Sequence, residues 1–202
     1  MVKKSIDATS FHHIAGRDLL IESIPIGKTL FRVHRAIHAP LWFGPDMSAP
    51  VSGRFNAPNY EYGVCYLGTS FAAAFAETLL RNPTNRLLSM VDLVERSISA
   101  GHCTRGIRLA RLHGAGLKRL SISAGTVHGS HPPCRRLALA LHQHPQQIDG
   151  IAYRSYFDND EICVALFDRA AGAITIGTTE GLMDDRRRLG NILDKYDVRL
   201  AP

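Results

Sequence analysis

"SGRFNAPNYEYGVCYLGTSFAAAFAET", residues 52–78, holds the pattern that decides the fold. A glycine–arginine turn leads into "YGVCYLGT" (62–69), whose aromatic and β-branched residues predict a strand. Thr69 or Ser70 then caps a helix running to about Arg81, and Asn82-Pro83 stops it. Turn, strand and helix follow one another with no spacer. They carry an arginine (Arg54), a strand tyrosine (Tyr66) and one glutamate (Glu77) at the end of an alanine run.

Outward from this stretch the periodicity gives more strands than helices. "TLFRVHR" (29–35) alternates, and "RLLSMVDL" (86–93), "IRLARL" (107–112), "IDGIAYRS" (148–155), "EICVALF" (161–167) and "GAITIGT" (172–178) read as further strands. "GRDLLIESI" (16–24) reads as a short helix and "APLWFGPDMSAPVSG" (39–53) as loop. A helix starts behind Pro132-Pro133, and "MDDRRRLGNILDKYD" (183–197) closes the chain as a charged helix. About seven strands and four helices without regular βαβ alternation predict an α+β fold. With 202 residues, 45% of them apolar, and no linker, the expectation is one domain. Residues 1–10 read as a loose tail.

No apolar run nears the roughly 20 residues that span a bilayer, and the start "MVKKSIDATSFHH" lacks a signal-like apolar stretch. Four scattered cysteines without a CxxC point to free thiols and a cytoplasmic protein. "HPPC" (131–134) and "HQH" (142–144) lie at poor relative angles for zinc, so no metal site is expected. "GKT" (27–29) lacks the upstream glycine of a phosphate loop, where Glu22 stands instead. The net charge is +6, and no acidic residue falls between Glu95 and Asp149. Such a stretch suits an anionic partner or is a solvated basic face, and charge alone favours the solvated face.

Six residues stand out as candidates for chemistry. On the 29–35 strand, Phe31 and Val33 are natural core residues, which leaves Arg32 and His34 together on the other face. Arg32 is either one half of a structural ion pair or a guanidinium that grips an anion. Arg54 is either a solvated loop residue or a second grip, with Gly53 letting the backbone bend beside it. Tyr66 is either core or a ring for stacking on a flat heterocycle. On the helix, Phe71, Phe75 and Leu79 form a stripe, and Glu77 lies about 200° from Phe75. It is either a surface charge or a carboxylate in a bare space that the surrounding alanines leave for another segment or a ligand. Ser155, at the end of "DGIAYRS", is either a turn residue or a binding residue at a strand end.

In this order and spacing, "LFRVHR", "SGRFNAPNYEYGVCYLGTSFAAAFAET" and "DGIAYRS" resemble the RES-domain toxins of bacterial toxin–antitoxin pairs, a family named for an arginine, a glutamate and a serine. The resemblance covers about residues 29–170. It divides the chain into a tail and short helix (1–28), a RES domain (29–180) and a C-terminal helix packing on that domain (181–202). It implies an ADP-ribosyltransferase-like fold, a split, twisted mixed sheet flanked by helices, with NAD+ as a substrate in the cleft and no metal. It implies cleavage of the nicotinamide–ribose bond, with ADP-ribose passed to water, phosphate or a protein target.

By matched position the resemblance gives Glu77, Arg32 and Tyr66 the catalytic roles. Arg32, Arg54, Tyr66, Ser155 and His34 become NAD-binding residues, with Arg32 and Arg54 at the diphosphate and ribose and Tyr66 on the nicotinamide. The implied partner is a helix-turn-helix antitoxin that blocks the cleft. No membrane is implied, and nucleic acid enters only through the antitoxin. In the His/Tyr/Glu class of ADP-ribosyltransferase toxins a histidine stands on the first strand; here Arg32 takes that place. The alternative is a basic RNA-binding or RNA-cleaving toxin using His34, His128 or His131, although its basic stretch lacks interleaved aromatics.

Overall fold

The structure is a computed structural model and describes residues 11–44, 47, 49–82, 84 and 86–201. The tail over residues 1–10 and Pro83 of the expected helix stop lie outside the described residues. Ten strands are described: β1 (Ile21–Ile24), β2 (Thr29–Arg35), β3 (Val64–Gly68), β4 (Leu87–Ser89), β5 (Arg96–Cys103), β6 (Ile107–Arg111), β7 (Gly150–Arg154), β8 (Ile162–Phe167), β9 (Ile174–Gly181) and β10 (Arg199–Ala201). With them are α1 (Phe71–Leu79), α2 (Met90–Val94), α3 (Ala115–Leu120), α4 (Ala124–His128), α5 (His131–His142) and α6 (Arg186–Lys195). Eight strands make one mixed sheet in the order β1-β6-β7-β8-β3-β2-β5-β9, with only β6 and β7 parallel. β4 and β10 form a small parallel pair.

The fold is α+β, as expected, and its sheet is split. β2 pairs with β5 along its whole length, from Thr29↔His102 to Arg35↔Arg96. On its other side β2 meets β3 only at Phe31↔Gly68. Beyond that pair the two strands part, and the gap is the cleft described below.

Alternation along the strands sorts the core onto two faces. Phe31 and Val33 of β2, Val64 and Tyr66 of β3 and Tyr153 of β7 face the helices α1, α5 and α6. Leu30, Cys65, Leu67, Val164 and Leu166 face the other way, under Ala170, Ala173 and the side chains of Leu41 and Phe43. Phe55, Phe75 and Phe167 are completely buried, each contributing about 1.5–3 kcal/mol. The four cysteines are buried free thiols. No helix among the described residues is long and apolar enough to cross a membrane.

Helix α1 begins where expected, with Ser70 Oγ accepting from the Ala73 N–H at 2.9 Å. Its buried face is wider than the Phe71/Phe75/Leu79 stripe. Ala73, Ala74 and Ala76 are buried with Phe75, while Phe71 and Leu79 are half-buried. The alanines let the helix press onto the sheet. A Cβ on Gly68 would lie 2.5 Å from the Ala74 nitrogen, so the segment that fills the space they leave is β3 itself.

Three expectations are corrected. Residues 16–24 hold no α-helix; Ile21–Ile24 is a strand, because the free edge of β6 offers a ladder that overrides local helical spacing. "RLLSMVDL" divides into a three-residue strand and the helix α2. β5 has no expected counterpart, although it lies between β2 and β9. Its sequence, RSISAGHC, places serines where a buried strand ordinarily has apolar residues.

Candidate active site

The Gly53–Asn56 turn and β3 lock together through one hydroxyl. Tyr66 donates to Asn56 Oδ1 at 2.7 Å and accepts from the Phe55 N–H at 2.9 Å. A Cβ on Gly53 would lie 2.1 Å from Asn56 Oδ1 and 2.6 Å from the Tyr66 hydroxyl, so the turn needs glycine here. Burial raises the Tyr66 pKa well above that of an ordinary phenol, although the Phe55 N–H and the charges of Arg135 and Arg54 oppose the rise. Tyr66 therefore stays a neutral ring, fixed at its tip.

Glu77 is not isolated. Its Oε1 accepts from the Ser155 hydroxyl at 2.7 Å and from the Tyr156 N–H at 2.9 Å. Both donors reach the same oxygen, so neither binds Oε2. Ser155 sits just beyond β7 and is buried. Its Oγ accepts from the N–H groups of Phe157 (3.1 Å) and Asp158 (3.3 Å), and its own N–H donates to the Glu161 carbonyl at 2.9 Å. A helix-borne carboxylate is thereby tied to a loop that starts at a strand end. The small cleft lined by Arg32, Tyr66, Gly68, Glu77, Thr78 and Tyr153 lies between α1 and the strands, where β2 and β3 part.

The two arginines border the site from different sides. Arg54 Nη1 donates to the Val127 carbonyl at 2.9 Å at the end of α4, and its guanidinium lies 5.7 Å from the centre of the Tyr156 ring. Arg32 Nη1 donates to the carbonyls of Ala39 (3.2 Å) and Pro40 (2.7 Å), in the loop that continues to Leu41 and Phe43 on the sheet's other face. Arg32 thus lines the cleft from β2 while its head is held by the loop carbonyls toward the sheet's other face, away from Tyr66. In each arginine these carbonyl bonds use Nη1 alone.

His34 is placed elsewhere. It is buried, with Nδ1 bonded to the Arg35 carbonyl (2.9 Å) and Nε2 to Ser99 Oγ (2.8 Å), which in turn meets Thr179 Oγ1 at 2.8 Å. Burial, more than any neighbouring charge, lowers its pKa. The neutral ring therefore donates its Nδ1–H to the Arg35 carbonyl, and Nε2 accepts from the Ser99 hydroxyl. This chain joins β2 to β5 and β9.

Residues that the spacing did not single out complete the site. Tyr153 is buried beside Tyr66, and Asn56 receives the Tyr66 hydroxyl. Exposed Tyr156 lies with its ring centre 6.0 Å from that of His128. Burial first, and Arg54 second, lower the His128 pKa, while Glu77 acts in the opposite direction. The one advance signal for Tyr156 was its place next to Ser155.

The cleft is half-open to solvent and offers a volume of only about 30 Å³. The larger cavities, about 560 Å³ each, lie beside α5 and Phe11, away from Glu77. Part of the basic stretch is tied back into the fold. Arg105 grips Asp149 through both carboxylate oxygens (2.7 and 3.0 Å), Arg111 and His113 meet Glu22, and Arg135 holds the Val51 and Gly53 carbonyls. Among the described residues no group of three or more His, Cys, Asp or Glu side chains could hold a metal ion.

Comparison with known proteins gives the same outline. The RES domain family matches residues 29–185, and the chain belongs to that family. A curated relative, the "Probable toxin y4kH" of Sinorhizobium fredii (strain NBRC 101917 / NGR234), is 29% identical over 115 residues, covering 56% of this chain and 90% of that protein. Among solved structures, a chain of the M. tuberculosis MbcT–MbcA toxin–antitoxin complex matches with a TM-score of 0.58. It is 14% identical, and the match covers 78% of this chain and 85% of that one. At that identity the likeness speaks for the fold alone.

Proposed function

We propose that this RES-domain protein is the toxin of a toxin–antitoxin pair and acts by consuming NAD+ at the Glu77 cleft. One observation carries the reading. A carboxylate, bound on one oxygen by Ser155 and Tyr156, stands beside a tyrosine ring locked at its hydroxyl, where the sheet parts. The same elements carry the arginine, glutamate and serine for which the family is named.

The chemistry follows from the bond that breaks. When the nicotinamide–ribose C1′–N bond cleaves, its electron pair goes to the ring nitrogen, which becomes neutral. The ribose carbon becomes an oxocarbenium-like cation. Glu77 stabilises that charge through Oε2, while Ser155 and Tyr156 hold the carboxylate in place. Tyr66 offers its face to the nicotinamide, and Arg32 and Arg54 grip the diphosphate with the donors that the carbonyls do not use. Each such contact contributes about 1.5–3 kcal/mol. His34 acts behind Arg32, by fixing β2. The acceptor, which is water, phosphate or a protein side chain, then bonds to C1′ and gives up its proton to solvent. A dinucleotide is far larger than this half-open cleft, so in this reading it lies partly outside it and binding widens the gap between β2 and β3, where a single pair joins them.

The relatives are named as a toxin and as a toxin–antitoxin complex, which supports a protein antitoxin as partner. The resemblance adds that it carries a helix-turn-helix domain and covers the cleft. Buried free thiols suit the cytoplasm, where NAD+ is plentiful. The test is mass spectrometry of NAD+ incubated with the protein, with and without cell extract. Free nicotinamide is expected, together with ADP-ribose, its phosphate ester or a modified protein. No nicotinamide in either incubation overturns the proposal.

A further inference from the structure

The family match ends at residue 185, and α6 begins at Arg186. The end of this helix reaches both halves of the candidate site. Lys195 Nζ lies 2.9 Å from Glu161 Oε1 and 3.0 Å from Asp158 Oδ2, and the Tyr196 hydroxyl donates to the same Asp158 oxygen at 2.7 Å. These two acids anchor the loop that fixes Ser155. The Asp158 N–H reaches Ser155 Oγ, and the Glu161 carbonyl accepts the Ser155 N–H. The other Glu161 oxygen, Oε2, accepts from the Ser70 hydroxyl at 2.5 Å, and Ser70 is the cap of α1, which carries Glu77.

The apolar side of α6 grips α1 directly. The Tyr196 ring lies parallel to that of Phe75, with centres 6.5 Å apart, and the Arg188 guanidinium lies 5.1 Å from the centre of the Phe71 ring. Leu189 and Ile192 are buried in the same cluster as Phe75. One short segment thus sets the helix that holds the carboxylate and the loop that holds its two donors.

We propose that Lys195 and Tyr196 are positioning residues of the active site, bracing the 156–161 loop so that Ser155 and Tyr156 hold Glu77 in its reactive place. The proposal rests on the reading of Glu77 above. Neither residue lines the cleft, and both act through Asp158 and Glu161. Lys195 is half-exposed while both acids are mostly covered. Removing the lysine therefore leaves two neighbouring carboxylates without their shared cation.

The test compares K195M, Y196F and the double variant with the wild type by NAD+ turnover and by amide hydrogen exchange. In the double variant kcat falls about tenfold to a hundredfold, while KM stays within about twofold because Arg32, Arg54 and Tyr66, the groups that grip NAD+ in the proposed function, have no bond to the 157–161 turn. Exchange quickens at the Tyr156, Phe157 and Asp158 amides while the β7 and β8 amides stay protected. K195R restores most of the turnover, since a guanidinium bridges the same two acids. Should the double variant not fold, Y196F, which deletes one oxygen, carries the same comparison. Wild-type kcat in the folded variant overturns the proposal, and so does lost kcat with unchanged protection at residues 156–158. If the wild type itself releases no nicotinamide, the proposed function fails, and the exchange data alone decide whether the brace exists.

Discussion

β2 has two very different sides. Toward β5 it is paired throughout, and buried His34 and Ser99, with exposed Thr179, add a side-chain chain across three strands. Toward β3 it has one pair. There the polar groups of the two strands turn to other partners: Tyr66 to the Gly53–Asn56 turn and Arg32 to the loop carbonyls. The paired side is scaffold. The parted side is where a ligand can separate elements without breaking a ladder. The proposed chemistry gathers there because the backbone leaves room for it.

The sharpest way to break this contrast is at Glu77. E77Q keeps the size of the side chain and an oxygen for Ser155 and Tyr156, but loses the negative charge. NAD+ turnover should fall by at least about a hundredfold, with a melting temperature close to that of the wild type. A fully active E77Q would remove the carboxylate from the chemistry. R54A should act next in size, mainly on KM. The loss of one charge-assisted contact, about 1.5–3 kcal/mol, corresponds to roughly a tenfold to hundredfold rise. An unchanged KM would return Arg54 to a purely structural role at the end of α4.

Y66F tests the lock between turn and strand. It deletes only the hydroxyl, which leaves the Phe55 N–H and Asn56 Oδ1 without their shared partner. The expected loss of stability is about 1–3 kcal/mol, read from denaturant unfolding. Turnover should fall less than in E77Q, because the ring remains. A variant as stable as the wild type would mean that the turn is held by other contacts.

The opposite sides of β2 also differ in how far the sequence announced them. "TLFRVHR" and the Ser70-capped helix were legible because alternation and capping are local signals, and both elements begin where those signals put them. β5 was not legible. Its Ser99 is buried because His34 and Thr179 satisfy it, and those partners are distant in the chain. Glu77, Ser155, Tyr66 and Arg54 were singled out from spacing and resemblance. Their hydrogen bonds were not, because each partner comes from a different element. The alanines of α1 were ambiguous in the sequence, and only the close approach of Gly68 shows which segment fills the space beside them.

His34 gives the smallest effect and the clearest distinction between the two sides. Burial lowers its pKa below the ordinary 6.5, so the folded protein keeps it neutral while the unfolded chain protonates it. Its contribution is fully present above about pH 6.5 and is lost as pH falls through that value toward the folded pKa, by up to about 1.4 kcal/mol per pH unit. His128, His131 and His142 shift in the same direction, so the wild-type curve sums several groups. H34Q should subtract one share, flattening the fall in melting temperature between pH 7 and pH 5. Because the ring's bonds run to β5 and β9, KM for NAD+ should move by less than about threefold, under 1 kcal/mol. A tenfold rise in KM with an unchanged pH slope would instead put His34 in the cleft, on the parted side of the strand.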